Sequence, residues 1–504
     1  MNFATFLEMR ARGTPAATAL VDSRCRFTWA ELDEVVNRFS NLLLADGAKP
    51  GDRLAIYSPN RAEAVIAILA AMKTGVVAVP LNWRLTGADL ERVLNHCKPS
   101  HVIVPSEREA SVRAVGRRVF ELGNAQFSGS FWAAVRDMSP SARARPCQAK
   151  EIANLLYTSG TMSFPKAAIH THGMRVSVAA TMADAFRLSS ADVALAVSPL
   201  FHTSGFSVFS NALFAGCPLI LQEKWDLAEF LALIETERVT FMHLITTLVV
   251  DIVKAPPAQL QRDTSSMRLT WGGGHNVDHR MFEEFEQRVG GVFVQGYSRT
   301  EGGLTYNPAD RSTRRFDAHG FPNANSSLVA IMDPETAQPV ANGERGEIVV
   351  RGDGVSPGYW KEDGIHPIPD LNGWQRTGDR GYFDDRGSMH FLGRFDSMIK
   401  TGGENVYPSE VEAVLLALPS VKNAMVLGIP DDRLGQRIGA VIVPADSRVS
   451  AADIERACRA SLPGFKIPRA IAFVTELPLL GNQKVDLAAC RELLMKAIAN
   501  TAAT

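Results

Sequence analysis

Short apolar runs alternate with helix-length segments through the N-terminal half of this chain. The first unit reads "RLAIYS" (53–58), then the helix-like "RAEAVIAILAAMKTG", then "VVAVPL". Further apolar runs are "VALAVS" (193–198), "PLILQ" (218–222), "VTFMHL" (239–244), "MRLTWGGG" (267–274) and "GVFVQGYS" (291–298). Strands that are separated by helices join in parallel, so this order predicts an α/β fold built of βαβ units, with largely parallel sheets covered on both faces.

A second change of pattern marks a domain boundary. A chain of 504 residues is expected to hold about two or three domains. Residues 340–392 carry glycine-punctuated strand-like runs, after which "GRFDSMIKTGGENVYPSEVEAVLLAL" passes from a glycine-rich loop into a helix with Pro408 in its first turn. We predict a large N-terminal domain of layered sheets and helices over 1–394, and a small, mobile C-terminal α/β domain over 395–504.

Composition excludes several classes of protein. The formal net charge of −1 gives no electrostatic footprint for nucleic acid or an anionic membrane. The apolar run "AVIAILAAM" stops at Lys73, well short of the roughly 18 residues that a membrane-spanning helix needs. The six cysteines form no C-x-x-C pair, and the first residues lack the apolar core of a signal peptide. We therefore expect a cytoplasmic protein with no nucleic-acid partner and no integral membrane segment.

The stretch "YTSGTMSFPK" (157–166) is typical of a phosphate-binding loop but departs from G-x-x-x-x-G-K-[ST]. No second glycine precedes Lys166, and Ala167 follows where Ser or Thr would hold Mg²⁺. Backbone amides and hydroxyls could donate to phosphate oxygens, with Lys166 as a point charge. The donor residues are Thr158, Ser159, Gly160 and Thr161. The alternative is an ordinary turn rich in Ser and Thr.

Six motifs occur together in a recognisable order: "YTSGTMSFPK", "PLFHTSGF", "QGYSRTEGG", "GWQRTGD", "GRFDSMIKTGGENVYPSEVE" and "GNQKVD". The lysine of the last motif is Lys484. With these, the chain resembles the adenylate-forming enzymes, which include acyl-CoA synthetases, firefly luciferase and peptide-synthetase adenylation domains. It is also similar to bacterial aryl-CoA ligases of the 4-chlorobenzoate–CoA ligase type. The resemblance implies an ATP-dependent acid–thiol ligase that uses Mg²⁺, forms an acyl-AMP from a small carboxylic acid with release of pyrophosphate, and transfers the acyl group to CoA.

The resemblance also implies roles in nucleotide binding. The 158–166 loop would grip the β- and γ-phosphates, Tyr297 would face adenine, Thr300 the α-phosphate, and Glu301 would bind Mg²⁺. Asp379 would accept hydrogen bonds from the ribose, with Arg394 beside it. Glycine lets backbone approach a ligand closely. The glycines expected against adenine and the acid are Gly272, Gly273 and Gly274.

Other roles concern the two half-reactions. By resemblance, Lys484 is the catalytic lysine that bridges the acid and the α-phosphate, acting with Thr300 and His202. Arg394 and Asp396 would mark the hinge about which the small domain rotates, and Gly402 and Gly403 would border the thiol tunnel. His202 would be an aromatic gate between acid and thiol. Residue type alone favours a histidine satisfied at the end of a strand.

The expected acid pocket is lined by small residues and lacks a carboxylate. By resemblance to the family, its members are His202, Thr203, Ser204, Gly205, Gly273, Gly274, Ser298, Gly303 and Leu304. An amino acid is disfavoured because its ammonium would be buried without a partner. A dicarboxylate would need Arg299 or His275, and we expect Arg299 to point to solvent or to a structural acid. The predicted substrate is a medium-sized, neutral-bodied acid, ring-bearing or branched, bound in a pocket where small residues leave volume.

Departures from the family pattern leave two alternatives. Family members usually carry a hydroxyl residue or glycine at the positions of Met162, Ser163, Ala167, Ser298 and Gln483. One alternative is an enzyme that passes its adenylate to a carrier-protein thiol. The other is a degenerate member that no longer adenylates. Lys166, Glu301, Asp379, Arg394 and Lys484 are all retained, which favours an active enzyme.

Overall fold

The structure is a computed structural model of the 504-residue chain. It describes all residues except 109–111, 113–117, 125, 142–143, 159–164, 274–279, 323–324, 432, 446–448, 480–484 and 503–504, together with the side chains at 396, 405 and 499–502.

The helices with described bounds are α1 Thr5–Gly13, α2 Trp29–Ala45, α3 Ala62–Thr74, α4 Gly87–Cys97, α5 Ser130–Arg136, α6 His172–Ala185, α7 Thr203–Ala215, α8 Leu227–Glu237, α9 Thr246–Lys254, α10 Arg280–Val289, α11 Pro408–Leu416, α12 Ala451–Arg459 and α13 Leu487–Ala502. None of these helices combines the length and the apolar character that crossing a lipid bilayer requires.

The strands of the N-terminal half are β1 Thr18–Val21, β2 Arg26–Thr28, β3 Arg53–Tyr57, β4 Val77–Leu81, β5 His101–Pro105, β6 Arg118–Leu122, β7 Ile152–Thr158, β8 Lys166–Thr171, β9 Ala194–Ala196, β10 Leu219–Leu221, β11 Phe241–Ile245, β12 Leu269–Gly273 and β13 Val292–Ser298. Those that follow are β14 Leu304–Tyr306, β15 Phe321–Pro322, β16 Leu328–Met332, β17 Gly346–Arg351, β18 Tyr359–Lys361, β19 Gly364–His366, β20 Asp370–Leu371, β21 Trp374–Phe383, β22 Met389–Arg394, β23 Ile399–Thr401, β24 Glu404–Val406, β25 Val421–Asp431, β26 Gly435–Pro444 and β27 Ala470–Phe473.

Two large sheets form the N-terminal part of the described chain, and each contains a run of parallel strands, from β13 to β1 in one and from β7 to β6 in the other. One runs β15-β14-β13-β12-β11-β9-β10-β1-β2 and the other β19-β18-β8-β7-β4-β3-β5-β6. The pairs β12–β13 and β3–β4 are parallel, whereas β13–β14 and β8–β18 are antiparallel. The α/β prediction is confirmed. The antiparallel edges, which the alternation of elements does not predict, bring distant parts of the chain to the ends of the parallel strands.

Burial explains why the α3 segment carries no polar face. Each residue of α3 is buried, and so is each residue of β4, the strand that follows it. A helix that is apolar on all sides belongs in the interior of a protein rather than on its surface. The preceding helix, α2, begins with a capping box, in which the Thr28 hydroxyl accepts from the Glu31 amide and the Glu31 carboxylate accepts from the Thr28 amide at 2.8 Å.

The C-terminal third contains two smaller sheets. In the first, β16, β17, β21, β20 and β22 join in antiparallel pairs. In the second, β24-β23-β26-β25 is completed by β27, which is parallel to β26. Pro408 occupies the first turn of α11, as predicted. The boundary expected between residues 394 and 395 falls where β22 ends and a short 3₁₀ turn, Phe395–Ser397, begins. It stays a prediction.

Candidate active site

The carboxyl end of β13 positions the central residues of the site. Tyr297 and Ser298 end this strand, and Thr300 and Glu301 lie in the turn that leads to β14. Ends of parallel strands form the usual ligand-binding edge of an α/β sheet. The neighbouring strand β12 ends there in Gly272 and Gly273. The motif "QGYSRTEGG" therefore lies at the edge where this fold class binds ligands.

Tyr297 and Asp379 form a buried hydrogen bond across two sheets. The Tyr297 hydroxyl donates to Asp379 Oδ2 at 2.6 Å, and Arg394 Nη1 lies 3.4 Å from Oδ1. Asp379 and Arg394 are opposite each other on β21 and β22. Burial raises the pKa of Asp379, against the opposing effects of Arg299 and the Tyr297 hydroxyl. Burial also raises the pKa of Tyr297, which keeps this phenol a neutral donor.

Arg299 lies between the two acids of the site. Its Nη2 is 3.5 Å from Glu301 Oε2, and its Nε is 3.8 Å from Asp379 Oδ2. The side chain is only 10% exposed, and its Nη1 is buried without a hydrogen-bond partner among the described residues. Of the two directions expected for Arg299, solvent is excluded and an acid is found. The acids that it meets are the two predicted for the metal and the ribose.

Glu301 is held by a second residue that sequence reasoning missed. The Tyr359 hydroxyl donates to Glu301 Oε1 at 2.6 Å, and Lys166 Nζ lies 5.1 Å from the centre of the Tyr359 ring. Tyr359 arrives because β18 pairs with β8, with Tyr359 opposite Ala168. Burial alone would raise the pKa of Glu301, but Arg299 and the Tyr359 hydroxyl hold it below its ordinary value. Glu301 is thus an oriented, ionised carboxylate.

Thr300 is fixed at both its hydroxyl and its carbonyl. Thr203 Oγ1 donates to Thr300 Oγ1 at 3.0 Å, and His170 Nε2 lies 2.7 Å from the Thr300 carbonyl oxygen. His202, one residue before α7, caps that helix, because its Nδ1 accepts from the Ser204 amide and pairs with Ser204 Oγ at 2.9 Å. Its position next to Thr203 is compatible with a gate, which stays a prediction.

Two of the predicted pocket glycines have no room for a Cβ, and whether they line the acid pocket stays a prediction. A Cβ on Gly205 would lie 2.2 Å from the Ser198 carbonyl oxygen, so this glycine lets α7 pack against backbone. A Cβ on Gly303, whose φ is +87°, would lie 2.6 Å from Val350 Cγ1. Protein atoms fill both spaces.

The remaining pocket and nucleotide positions are placed as follows. A Cβ on Gly272 would meet Phe293 at 2.4 Å, and one on Gly273 would meet the Gly296 carbonyl oxygen at 2.6 Å. Ser298 is exposed, and Leu304 belongs to the main hydrophobic core. Whether these residues line the acid pocket stays a prediction.

Several predicted residues fall outside the described part of the chain. They are Ser159, Gly160, Thr161, Gly274 and Lys484. For Asp396 the backbone is described and the side chain is not. Thr158 Oγ1 donates to the Lys166 carbonyl oxygen at 3.3 Å, where β7 and β8 pair. Gly402 (φ +59°) and Gly403 (φ +89°) form the exposed turn between β23 and β24, which positive φ values reserve for glycine.

A metal at this site would depend on Glu301. Among the described residues, His, Cys, Asp and Glu side chains nowhere gather in threes as a closed protein cage would require. Mg²⁺ does not need such a cage, because it commonly binds one or two carboxylates together with substrate phosphates and water. The single oriented carboxylate of Glu301 fits that mode.

Comparisons with known proteins agree with this geometry. Residues 7–360 match the AMP-binding enzyme family, and residues 410–484 match the AMP-binding enzyme C-terminal domain. The feruloyl-CoA synthase of Amycolatopsis sp is 34% identical over 481 residues, which cover 94% of this chain and 96% of that enzyme. The crystal structure of ATP-bound MatB from Rhodopseudomonas palustris has a TM-score of 0.89 at 30% identity and covers 98% of this chain and 99% of its own.

A third similar protein contains the reaction intermediate. The o-succinylbenzoate CoA synthetase (MenE) from Bacillus subtilis, in complex with the acyl-adenylate OSB-AMP, has a TM-score of 0.84 at 28% identity and covers 97% of each chain. Fold, site and matches define an adenylate-forming enzyme: this chain belongs to the AMP-binding enzyme family. More particularly, it is an AMP-forming acyl-CoA ligase, so the predicted activity is confirmed.

Proposed function

We propose that the acid activated by this ligase is ring-bearing, of medium size and without a second carboxylate. The observation that carries this proposal is the engagement of Arg299 with Glu301 and Asp379, at 3.5 and 3.8 Å. A cation that is already shared by two carboxylates gains little binding energy from a third. The second carboxylate of a dicarboxylate would therefore gain little affinity from Arg299. The name of the feruloyl-CoA synthase relative, which refers to a ring-bearing acid, supports the same choice.

The nucleotide would bind along the edge formed by β13, β21 and β22. Tyr297 would face adenine, Asp379 and Arg394 would bind the ribose side, and the Thr300 hydroxyl would donate to the α-phosphate. Thr203 supports this role, because it donates to Thr300 Oγ1 and leaves the Thr300 proton free to donate. Gly272, Gly273 and Gly274 would bring backbone against the ligand, and Thr158, Ser159, Gly160, Thr161 and Lys166 would hold the outer phosphates.

Glu301 would hold Mg²⁺, whose charge, when bound, neutralises the phosphates as negative charge develops. Tyr359 supports this role by fixing one carboxylate oxygen. Nη1 of Arg299 is buried without a hydrogen-bond partner among the described residues, which supports a contact with a phosphate oxygen while Nη2 and Nε stay beside Glu301 and Asp379.

The reaction would proceed in two balanced steps. A carboxylate oxygen attacks the α-phosphorus of ATP, the bond to pyrophosphate breaks, and Lys484 bridges the two anions. The CoA sulfur then attacks the acyl carbon, the bond to AMP breaks, and the thiol proton leaves. Between the steps, the domain from residue 395 would rotate about Asp396, taking Lys484 away and bringing Gly402 and Gly403 beside the thiol arm, with His202 as the gate.

The acid is tested by ATP–pyrophosphate exchange with benzoate-like, medium-chain and malonate-like acids. We expect the benzoate-like acids to have the highest kcat/KM in the wild type. The same ranking should hold in Arg299→Ala, at a lower overall rate. The proposal would be overturned if a malonate-like acid had the highest kcat/KM in the wild type and if its kcat/KM fell selectively in Arg299→Ala.

The acceptor is tested separately. Free CoA is expected to discharge the adenylate faster than a holo-carrier protein, and the reverse result would favour the carrier-protein alternative. Absence of exchange with every acid of the panel would favour a degenerate family member.

A further inference from the structure

Arg175, on helix α6, is a buried cation without a carboxylate partner. It is 4% exposed, and its guanidinium lies 4.2 Å from the centre of the Phe206 ring. Its Nε donates to Asn154 Oδ1 at 3.0 Å, and its Nη2 donates to His170 Nδ1. No carboxylate of the described chain is ion-paired with it, and burial lowers its pKa to about 9. An isolated buried charge destabilises a protein. The presence of Arg175 therefore indicates a functional role that offsets its effect on stability.

The contacts of Arg175 determine the tautomer of His170. A guanidinium has donors and no acceptor, so His170 Nδ1 must be the acceptor, and it also lies 3.2 Å from Asn154 Nδ2. The proton of the neutral ring is then on Nε2, which donates to the Thr300 carbonyl oxygen at 2.7 Å. His170 is 1% exposed, so water does not compete for either nitrogen.

These bonds connect the core to the turn after β13. The hydroxyl of Thr300 is held by Thr203, and its carbonyl is held by a histidine that Arg175 orients. Neither His170 nor Arg175 belongs to the residues assigned above to nucleotide, metal or acid.

We propose that Arg175 and His170 are positioning residues for Thr300. Arg175 fixes the ring, His170 fixes the backbone of the turn, and the buried positive charge favours an anion there, namely the nucleotide phosphate that Thr300 contacts. The inference rests on the proposed role of Thr300. Binding of the anion would compensate the buried charge, which otherwise lacks a partner.

Two substitutions at His170 separate its two hydrogen bonds. In His170→Gln the amide nitrogen can reach the Nε2 position and keep the bond to Thr300. In His170→Asn the shorter side chain reaches only the Nδ1 position, which keeps the bond to Arg175 and loses the bond to Thr300. We expect the Asn variant to lower kcat for adenylation by about 10- to 100-fold, as when a supporting partner of a site residue is lost, and the Gln variant to lose far less.

Thioester formation from preformed acyl-adenylate and thermal unfolding serve as internal controls, and both should be similar in the two variants. Equal losses in His170→Gln and His170→Asn, or parallel losses in both half-reactions, would mean a merely structural histidine and overturn the proposal.

The charge is tested by calorimetric titration with ATP, which needs no turnover. Arg175→Met should raise the Kd for ATP by about fivefold or more, as expected for a unit charge acting through protein. The matched control is Arg314→Met, since Arg314 is a buried arginine that is ion-paired with Glu286 and has no role in the proposed site. Its Kd for ATP should match the wild type. An unchanged Kd in Arg175→Met overturns the electrostatic role. If the wild type shows no pyrophosphate exchange, the proposed function fails. The proposed role of Arg175 is then tested by the ATP titration alone.

Discussion

Nη2 of Arg299 lies 3.5 Å from Oε2 of Glu301, two positions further along the chain, and both side chains are about nine-tenths buried. The same guanidinium approaches Asp379 at 3.8 Å. One cation thus holds two acids from distant parts of the chain, Glu301 in the turn after β13 and Asp379 on β21. Removing Arg299 would leave the buried negative charges of Glu301 and Asp379 without this cation. Substitution of Arg299 is therefore expected to affect the site strongly.

Replacing Arg299 by Met should shift the pH dependence of adenylation. With Arg299 present, the pKa of Glu301 lies below its ordinary value of 4.5; without it, burial acts to raise that pKa. We therefore expect the acidic limb of kcat/KM for pyrophosphate exchange to move to higher pH in Arg299→Met. A group with a depressed folded-state pKa stabilises the fold above its unfolded value and loses that effect as pH falls through the folded value, so Glu301 stabilises less in the variant. The control is Arg38→Met, which breaks a surface pair with Glu34; superimposable profiles for wild type and Arg299→Met would contradict the prediction.

Replacing Tyr359 by Phe should weaken adenylation without disturbing the fold. The change removes one hydrogen bond to an ionised carboxylate, 2.6 Å long, and leaves the ring in place. Such bonds contribute about 1.5–3 kcal/mol, so we expect kcat/KM for exchange to fall at least about tenfold. Tyr382→Phe is the control, because that ring stacks on His390 and Tyr382 has no role in the proposed site. Equal rates in wild type and Tyr359→Phe would show that Glu301 needs no such support.

Two substitutions in the C-terminal part should separate the half-reactions. Lys484→Ala is expected to abolish adenylate formation while sparing thioester formation from preformed acyl-adenylate. Asp396→Pro should do the reverse, because proline fixes φ in the turn that follows β22. Both half-reactions are measured in both variants. Equal loss of the two half-reactions in both variants would contradict the proposed rotation of the C-terminal domain.

Replacing Gly205 by Ala should destabilise the fold. The added Cβ would lie 2.2 Å from the Ser198 carbonyl oxygen and 2.4 Å from that of Pro199. Overpacking of this kind lowers the free energy of unfolding by about 1–3 kcal/mol. Thermal unfolding should show a lowered Tm, whereas Gly13→Ala, with no atom within 4 Å of the new Cβ, should not. An unchanged Tm for Gly205→Ala would mean that α7 shifts freely.

The phosphate loop is tested by the double change Met162→Thr and Ser163→Gly. It adds a donor and backbone freedom, so KM for ATP should fall if the departures from the family pattern weaken nucleotide binding. Steady-state kinetics with varied ATP measures this. A KM that stays the same or rises would mean that Met162 and Ser163 suit this enzyme's own geometry.

The sequence predicts the parallel interiors of the sheets well because their strands and helices are locally distinctive. The run containing β4 is apolar throughout, and burial on both faces accounts for it. The capping box at Thr28 and Glu31 likewise depends on residues three apart. Patterns of this kind need no knowledge of distant contacts.

The parts of the site that could not be predicted depend on distant contacts. Tyr359 meets Glu301 only because an antiparallel hairpin extends the second large sheet, and nothing local to "GYW" indicates that pairing. No sequence motif indicates a role for His170, since Arg175 and Thr300 become its neighbours only in the folded chain. Arg299 was expected to face solvent or a structural acid, and the sequence could not decide between the two because it does not specify side-chain direction.

Tyr359 touches two predicted ligand-binding groups at once. Its hydroxyl is bonded to Glu301, and its ring faces Lys166 at 5.1 Å. Lys166 is the predicted partner of the outer phosphates, and Glu301 is the predicted partner of the metal. If both predicted roles hold, a ligand that moves this ring at one end would change its contact at the other. Binding at the two positions would then be linked, and each ligand would alter the affinity of the other by the same factor.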